Sequence, residues 1–305
     1  MSTLFLFGAG ASHGSGPCIP SRPPLGSQLF AEMRNAGGLA ARVSEQLAQE
    51  FENFERGMDM FWDERPGDVA ELLRDMSKYL VQFEPAPGNH YISLLQLIQE
   101  TGCDAILATT NYDVLIELAA HHRRRSIGYH AFPRPPQNNI PLLKIHGSVN
   151  FLPDTRGAVF NDCKFIQDAD RGGSAFVGPV KVASSAAEVL AFCRDENSLA
   201  PCVAAYHPKK KVLFSKEYID FHQEQFRSAV ESADRIVVIG LRIHAPDVHI
   251  WKPIAESQGN LFFVGFEPDE FESWKEKTAR DSAQFLTTSF EEALPLIEKI
   301  LMERE

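Results

Sequence analysis

The chain has 305 residues, 44% of them apolar and 23% charged, enough for one large α/β domain or two ordinary ones with a sizeable core. Thirty Lys and Arg against forty-one Asp and Glu leave a net charge of −11, which argues against a general nucleic-acid or anionic-membrane surface. No apolar run approaches the ~18 residues that span a bilayer, and five scattered cysteines without a CxxC pair support neither a disulfide framework nor a four-cysteine zinc site.

The opening MSTLFLFGAGAS has no basic stretch and breaks into glycines after four apolar residues, unlike a signal peptide, so a reduced, cytoplasmic protein is expected. Residues 4–7 predict a buried strand running into the Gly-Ala-Gly-Ala-Ser turn of residues 8–12. Residues 13–27, rich in Gly, Pro and Ser, form a long loop of the kind that usually carries function. The spacing of Val69, Leu72, Leu73, Met76 and Leu80 predicts a half-buried helix over 68–82, and residues 39–54 and 90–100 read as helices too. DAILATTNYDVLIELAA, from Asp104, is a strand, a polar turn and a helix from about Asp113. IPLLKIHGSVNF, 140–151, is another strand ending in a polar turn.

Residues 153–212 read as irregular, broken by Gly172-Gly173, Gly178-Pro179 and Pro208. Order returns with a helix over 217–233, a strand at 235–241, a helix opening near Pro246, a strand at 260–266, and helices at 269–281 and from 290. Continuous apolar strands alternating with helices predict a doubly wound, Rossmann-like parallel sheet covered on both faces. The fold class is therefore α/β, a single domain over 1–305 with a helical insertion about 28–100 and an irregular one about 153–212.

In such sheets ligands bind at the carboxyl ends of the strands. Five ends can be read here: Gly8–Ser12, Thr109–Asp113, His146–Ser148, Gly240–His244 and Gly265–Glu267. Gly8 and Gly10 would let a backbone approach a pyrophosphate, although the same residues also make a plain strand-to-helix turn. Asn111 can bind a water, a ribose hydroxyl or an amide, or simply tolerate an unusual backbone angle. Asp113 stands where a helix N-cap belongs. His146, at a strand end beside Gly147, suits a general base near neutral pH; a hydrogen-bonded core histidine is the plainer alternative.

Taken in order, GAGAS, TTNYD, KIHGS, VIGLRIHAPD and FFVGFEPD resemble the SIR2 (sirtuin-like) family. There the corresponding segments are a GAG-type NAD loop, a T-Q or T-N turn, a catalytic His-Gly, a Gly-Ser turn and a strand end that holds the adenosine ribose. The resemblance covers both ends and the middle of the chain, leaving about 28–100 and 153–212 without matching motifs. It implies that Gly8, Ala9, Gly10, Ala11 and Ser12 wrap the NAD+ phosphates and ribose, and that Thr109, Thr110 and Asn111 line the nicotinamide end with Asp113 beside them. It implies further that His146 is the base, that Gly240 and Leu241 contact the phosphates, and that Glu267 bonds the adenosine ribose. The family's Ser after the late glycine is absent from GLRIH, so Arg242 and His244 carry no assigned role.

Protein-deacylating sirtuins carry a zinc ribbon of two CxxC pairs shortly after the catalytic histidine. Here Cys163, Cys193 and Cys202 do not have that spacing, so no zinc ribbon is expected. What remains resembles the SIR2-like enzymes of bacterial anti-phage defence, which hydrolyse NAD+ and starve an infected cell (abortive infection). In that group the matching Asn and His are both needed. The resemblance thus implies an NAD+ glycohydrolase switched by a partner protein, a ligand or self-assembly. The alternatives are an NAD-dependent protein deacylase and a non-catalytic NAD or ADP-ribose-binding regulator. HHRRR at 121–125 reads as a solvated helix end, and PKKK at 208–211 as an exposed turn. His244 and His249, five apart, do not share a helix face as i,i+4 ligands would, so no metal is expected.

Overall fold

The structure is a computed structural model that describes residues 1–155, 164–168, 173–196, 199–204, 214–244 and 247–303. Cys163, Gly172, Pro246 and the basic run 208–211 lie outside the described residues.

Seven strands make one sheet: β1 (Ser2–Phe7), β2 (Asp104–Thr109), β3 (Ser126–Gly128), β4 (Asn139–Lys144), β5 (Arg235–Ile239), β6 (Asn260–Val264) and β7 (Gln284–Thr287). Their order is β7-β6-β5-β1-β2-β4-β3, and every neighbouring pair is parallel. The fold is the doubly wound α/β sheet that the sequence predicts, with two edge strands, β3 and β7, that its pattern did not disclose. Both are short and partly polar, and only one side of each is paired.

The helices are α1 (Ala9–His13), α2 (Gly26–Ala36), α3 (Glu45–Glu50), α4 (Phe54–Glu64), α5 (Val69–Leu80), α6 (His90–Thr101), α7 (Leu115–His122), α8 (Ala186–Asp195), α9 (Lys216–Ser232), α10 (Val248–Glu256), α11 (Pro268–Thr278) and α12 (Phe290–Met302). No helix among the described residues is long and apolar enough to cross a membrane.

Strand residues alternate between the two faces of a sheet, and here both faces are apolar. Phe5, Phe7, Leu107, Leu142, Val237 and Ile239 pack with the apolar faces of α2, α5, α6, α7 and α12. Leu4, Leu6, Ile106, Leu143, Ile236 and Val238 pack with α9, α10 and α11 on the other side. That is why the strands read as unbroken apolar runs: each residue has a helix above or below it. In α5 all five residues of the expected stripe are buried.

The expected helix over 39–54 is broken into a 3-10 turn at Ala40–Arg42 and α3, and besides the short α1, read from the sequence as a turn, three helices were not foreseen. α2 starts directly from the Pro- and Gly-rich loop, so its Leu29, Phe30 and Met33 face was masked by its neighbours. α4 contains Gly57, which a helix ordinarily disfavours. A side chain there would run into the Phe51 ring, so the glycine serves packing. α8 lies within the stretch read as irregular and buries Val189 and Cys193. Residues 164–168 and 173–177 pair as an antiparallel hairpin in the same stretch.

Candidate active site

The chain leaves β1 toward β2 on one side of the sheet, then returns to β5 on the other side of β1 and continues outward to β6 and β7. Connections that diverge in this way open a crevice at the carboxyl ends of β1 and β5, the place where such sheets bind ligands. The two strand ends meet there almost without side chains. Gly8 N–H donates to Ile239 O at 3.0 Å, and Gly10 N–H donates to Gly240 O at 2.8 Å. Gly240 has φ +62°, the left-handed region that favours glycine.

Above this junction lies a cleft of about 650 Å³, within the range that holds small-molecule and cofactor ligands. Its walls come from all five expected strand ends, from Leu25 at the end of the Pro- and Gly-rich loop, and from Phe54 and Glu55 of α4. Ala9, Gly10, Ser12, Thr110, Asn111 and Asp113 face it. So do His146, Gly240, Leu241 and Glu267.

Three expected binding residues do not line the cleft. Gly8 is buried beneath it at the junction. Ala11 is fully buried in the core, with its N–H donating to Gly8 O. Thr109 is 1% exposed and its hydroxyl donates to Phe7 O at 3.1 Å while accepting from Asn111 N–H at 3.0 Å. These residues shape the floor beneath the cleft. Sequence motifs mark glycine-rich and polar turns without distinguishing the residues that build a turn from those that line it.

The Asn111 carboxamide is turned by its partners. Its Nδ2 donates to Gly8 O at 2.8 Å and to Ser12 Oγ at 2.9 Å. A backbone carbonyl only accepts, so the group facing Gly8 must be the NH2. The acceptor oxygen Oδ1 is left for the cleft. Ser12 Oγ is in turn 3.1 Å from the hydroxyl of Tyr91, which α6 supplies and whose burial pushes its pKa well above the ordinary tyrosine value. Asp113 accepts from Leu115 N–H at 3.1 Å, so it caps α7 from just outside; the helix begins at Leu115 and not at Asp113.

His146 follows the end of β4 and is 4% exposed. Its main chain is locked by the segment 202–204: Ala204 N–H donates to His146 O at 2.8 Å, and Ser148 N–H donates to Cys202 O at 3.1 Å. Gly147 has φ +81°, and a side chain there would run into Cys202 O, which explains the His-Gly pair. His146 Nε2 lies 2.9 Å from His249 Nε2, in the first turn of α10.

Sequence reasoning missed several supports. Lys144, buried to 1% exposure at the end of β4, donates from Nζ to Asp113 O and sits 3.3 Å from Glu117 Oε1. This ties β4 to the start of α7. Burial raises the Glu117 pKa more than the Lys144 ammonium lowers it. At the far end of the cleft Arg242 lies 3.3 Å from both Glu267 Oε2 and Glu270 Oε1. His244 Nδ1 is 3.3 Å from Glu55 Oε2, linking the loop after β5 to α4.

Two side-chain groups have the donor set and spacing of cation sites: His146 with Asp247 and His249, and Glu55 with His244 and Asp247. In each, the ligand atoms lie within 4.8 Å of one another. The five-residue spacing of His244 and His249 hid the first group, whose third member comes from another strand. Cys18, Cys103, Cys193 and Cys202 are free thiols and belong to neither group.

No protein-family model matches the chain, and no curated protein matches it. Solved structures do. One, described as the structural basis for sirtuin substrate affinity, has TM-score 0.50 and 15% identity over 98% of this chain and 92% of its own. A Sir2 in complex with the inhibitor EX-527, 2'-O-acetyl-ADP-ribose and a deacetylated p53 peptide has TM-score 0.51 and 16% identity, covering 98% and 93%. A Sir2 homolog–NAD complex has TM-score 0.51 and 16% identity, covering 98% and 89%. At such identities the likeness concerns the fold, and in fold this chain is SIR2-like.

Proposed function

We propose that the chain is an NAD+ glycohydrolase, cleaving NAD+ to nicotinamide and ADP-ribose, and that it is the NAD-depleting effector of a bacterial anti-phage defence system. The observation that carries this reading is that Asn111 and His146, from two different strand ends, line one cleft above the Gly8–Gly240 junction. The solved SIR2 structures of similar fold include one in complex with NAD.

In the reaction the bond between ribose C1′ and the nicotinamide nitrogen breaks, and nicotinamide leaves with the bonding pair. Positive charge builds on the sugar, as in glycoside cleavage. Water attacks C1′; Asn111 Oδ1 accepts a hydrogen bond from that water and His146 takes its proton. Gly10 and Ala9 give a dinucleotide backbone-close contact at the start of α1, and Glu267 offers its carboxylate to the adenosine ribose. An unregulated enzyme of this kind would drain its own cell, which motivates a switch by a partner, a ligand or assembly.

The test is nicotinamide and ADP-ribose production from NAD+ by the purified chain, with and without acyl-lysine peptide and candidate partner proteins. Asn111→Ala and His146→Ala are each expected to lower release by about 100-fold or more, with the circular-dichroism spectrum unchanged. Turnover only with acyl-peptide would establish a deacylase. Binding without turnover under every condition would establish a regulator.

A further inference from the structure

His146 and His249 come from opposite sides of the crevice, one after β4 and one in α10, and their Nε2 atoms face each other at 2.9 Å. Two imidazole nitrogens aimed at one point are a ligand pair when a third donor converges on them. Asp247 is the third donor of the group: its Oδ1 lies 4.0 Å from His249 Nδ1, and one carboxylate oxygen of this buried residue and one nitrogen of each ring lie within 4.8 Å of one another. Zn–N bonds of about 2.0–2.1 Å at a tetrahedral angle put two donor atoms about 3.3 Å apart, so the two facing nitrogens must open by a few tenths of an ångström and the carboxylate, 4.0 Å from His249 Nδ1, must close by about 0.7 Å to hold the ion.

We propose that His146, Asp247 and His249 bind a borderline divalent transition ion, best fitted by Zn2+, and that the ion switches the active site off. Two imidazoles and one carboxylate suit Zn2+ and disfavour Mg2+, which takes oxygen ligands in an octahedral shell. The second group, Glu55, His244 and Asp247, is more exposed and has one imidazole, so it is the weaker site. An ion on His146 occupies a lone pair on the ring that would otherwise accept the water's proton, and it also bridges the two walls of the crevice. Only this consequence rests on the glycohydrolase reading; the ion site itself does not.

The experiment titrates ZnCl2 and, separately, MgCl2 into chelator-treated protein by isothermal calorimetry, for the unaltered chain and for His249→Ala and Asp247→Asn. The unaltered chain is expected to show one Zn2+ site with a Kd of about 1 μM or below, weakened at least about tenfold in each variant, and no site for Mg2+. Zn2+ should halve nicotinamide release at a concentration near that Kd, and the residual activity of His249→Ala should need correspondingly more. Equal Zn2+ binding by all three proteins would overturn the site, and tight binding that leaves release unchanged would overturn the switch. Specific Zn2+ binding without any NAD+ cleavage would keep the site and remove the glycohydrolase reading; cleavage without specific binding would do the reverse.

Discussion

Gly240 shapes the candidate site although it has no side chain. Its φ of +62° costs a non-glycine residue about 1–2 kcal/mol. A Cβ there would also overlap the backbone of Gly10 and Ala11, and that backbone cannot retreat because Gly10 N–H bonds Gly240 O at 2.8 Å. Gly102 separates the two costs: its φ is +65°, yet no atom lies within 4 Å of where its Cβ would stand. Gly102→Ala should therefore lose only the conformational part, about 1–2 kcal/mol, whereas Gly240→Ala should lose about 3 kcal/mol or more. Urea unfolding of the two variants makes the comparison, and equal losses would show that the junction is not the tight contact described. The sequence made Gly8, Gly10 and Gly240 visible as turn glycines. It could not show that two of the turns close on each other, because that contact joins positions more than 200 residues apart.

At the scale of elements, β4 and α9 form the wall behind His146, and their joint is a histidine. His222 is fully buried, accepts from Lys144 N–H through Nδ1 at 3.2 Å, and stacks against Phe151. Burial first, then the charges of Lys144 and His130, push its pKa down to about 3. In the unfolded chain a histidine titrates near 6.5, so below that pH the unfolded state binds a proton that the native state refuses. Stability from this group is fully present above about pH 6.5 and falls by up to about 1.4 kcal/mol per pH unit on acidification toward pH 3. His222→Leu should cost stability at neutral pH by stranding the Lys144 N–H, yet flatten the slope between pH 6 and 4. Parallel slopes in chemical unfolding would show that another group controls acid sensitivity. The helix that carries His222 was legible from its apolar spacing, as was α5, and the five inner strands β1, β2, β4, β5 and β6 were legible as apolar runs. The elements that escaped, α2, α4, α8, β3 and β7, are short or bordered by glycine, proline and charge. Their burial is decided by distant partners, which local periodicity does not record. Tyr91 and Lys144 were missed for the same reason: each reaches the site from an element whose own pattern speaks only of core.

The molecule as a whole brings together a cleft whose walls are dispersed along almost the entire chain. β1 and β2 supply Gly10 and Asn111, β4 leads to His146, and β5 and β6 lead to Leu241 and Glu267. A ligand that fills this cleft touches both halves of the sheet and exists only on the folded chain. It must then stabilise the whole molecule by RT ln(1 + [L]/Kd), about 2.7 kcal/mol at a hundredfold excess over Kd. For a chain of this length that raises the melting temperature by about 5 °C. ADP-ribose is the suitable probe because it lacks the bond to nicotinamide and is not consumed. We expect a single unfolding transition that moves upward as a unit with ADP-ribose, and no movement in Gly240→Ala, whose junction is forced apart. The reason for a unitary shift is topological: β1 lies between β5 and β2, so loosening either half exposes its buried phenylalanines. A shift confined to one of two separable transitions would mean that the crevice does not couple the halves. The absence of any shift at saturating ADP-ribose would mean that the cleft does not take this class of ligand.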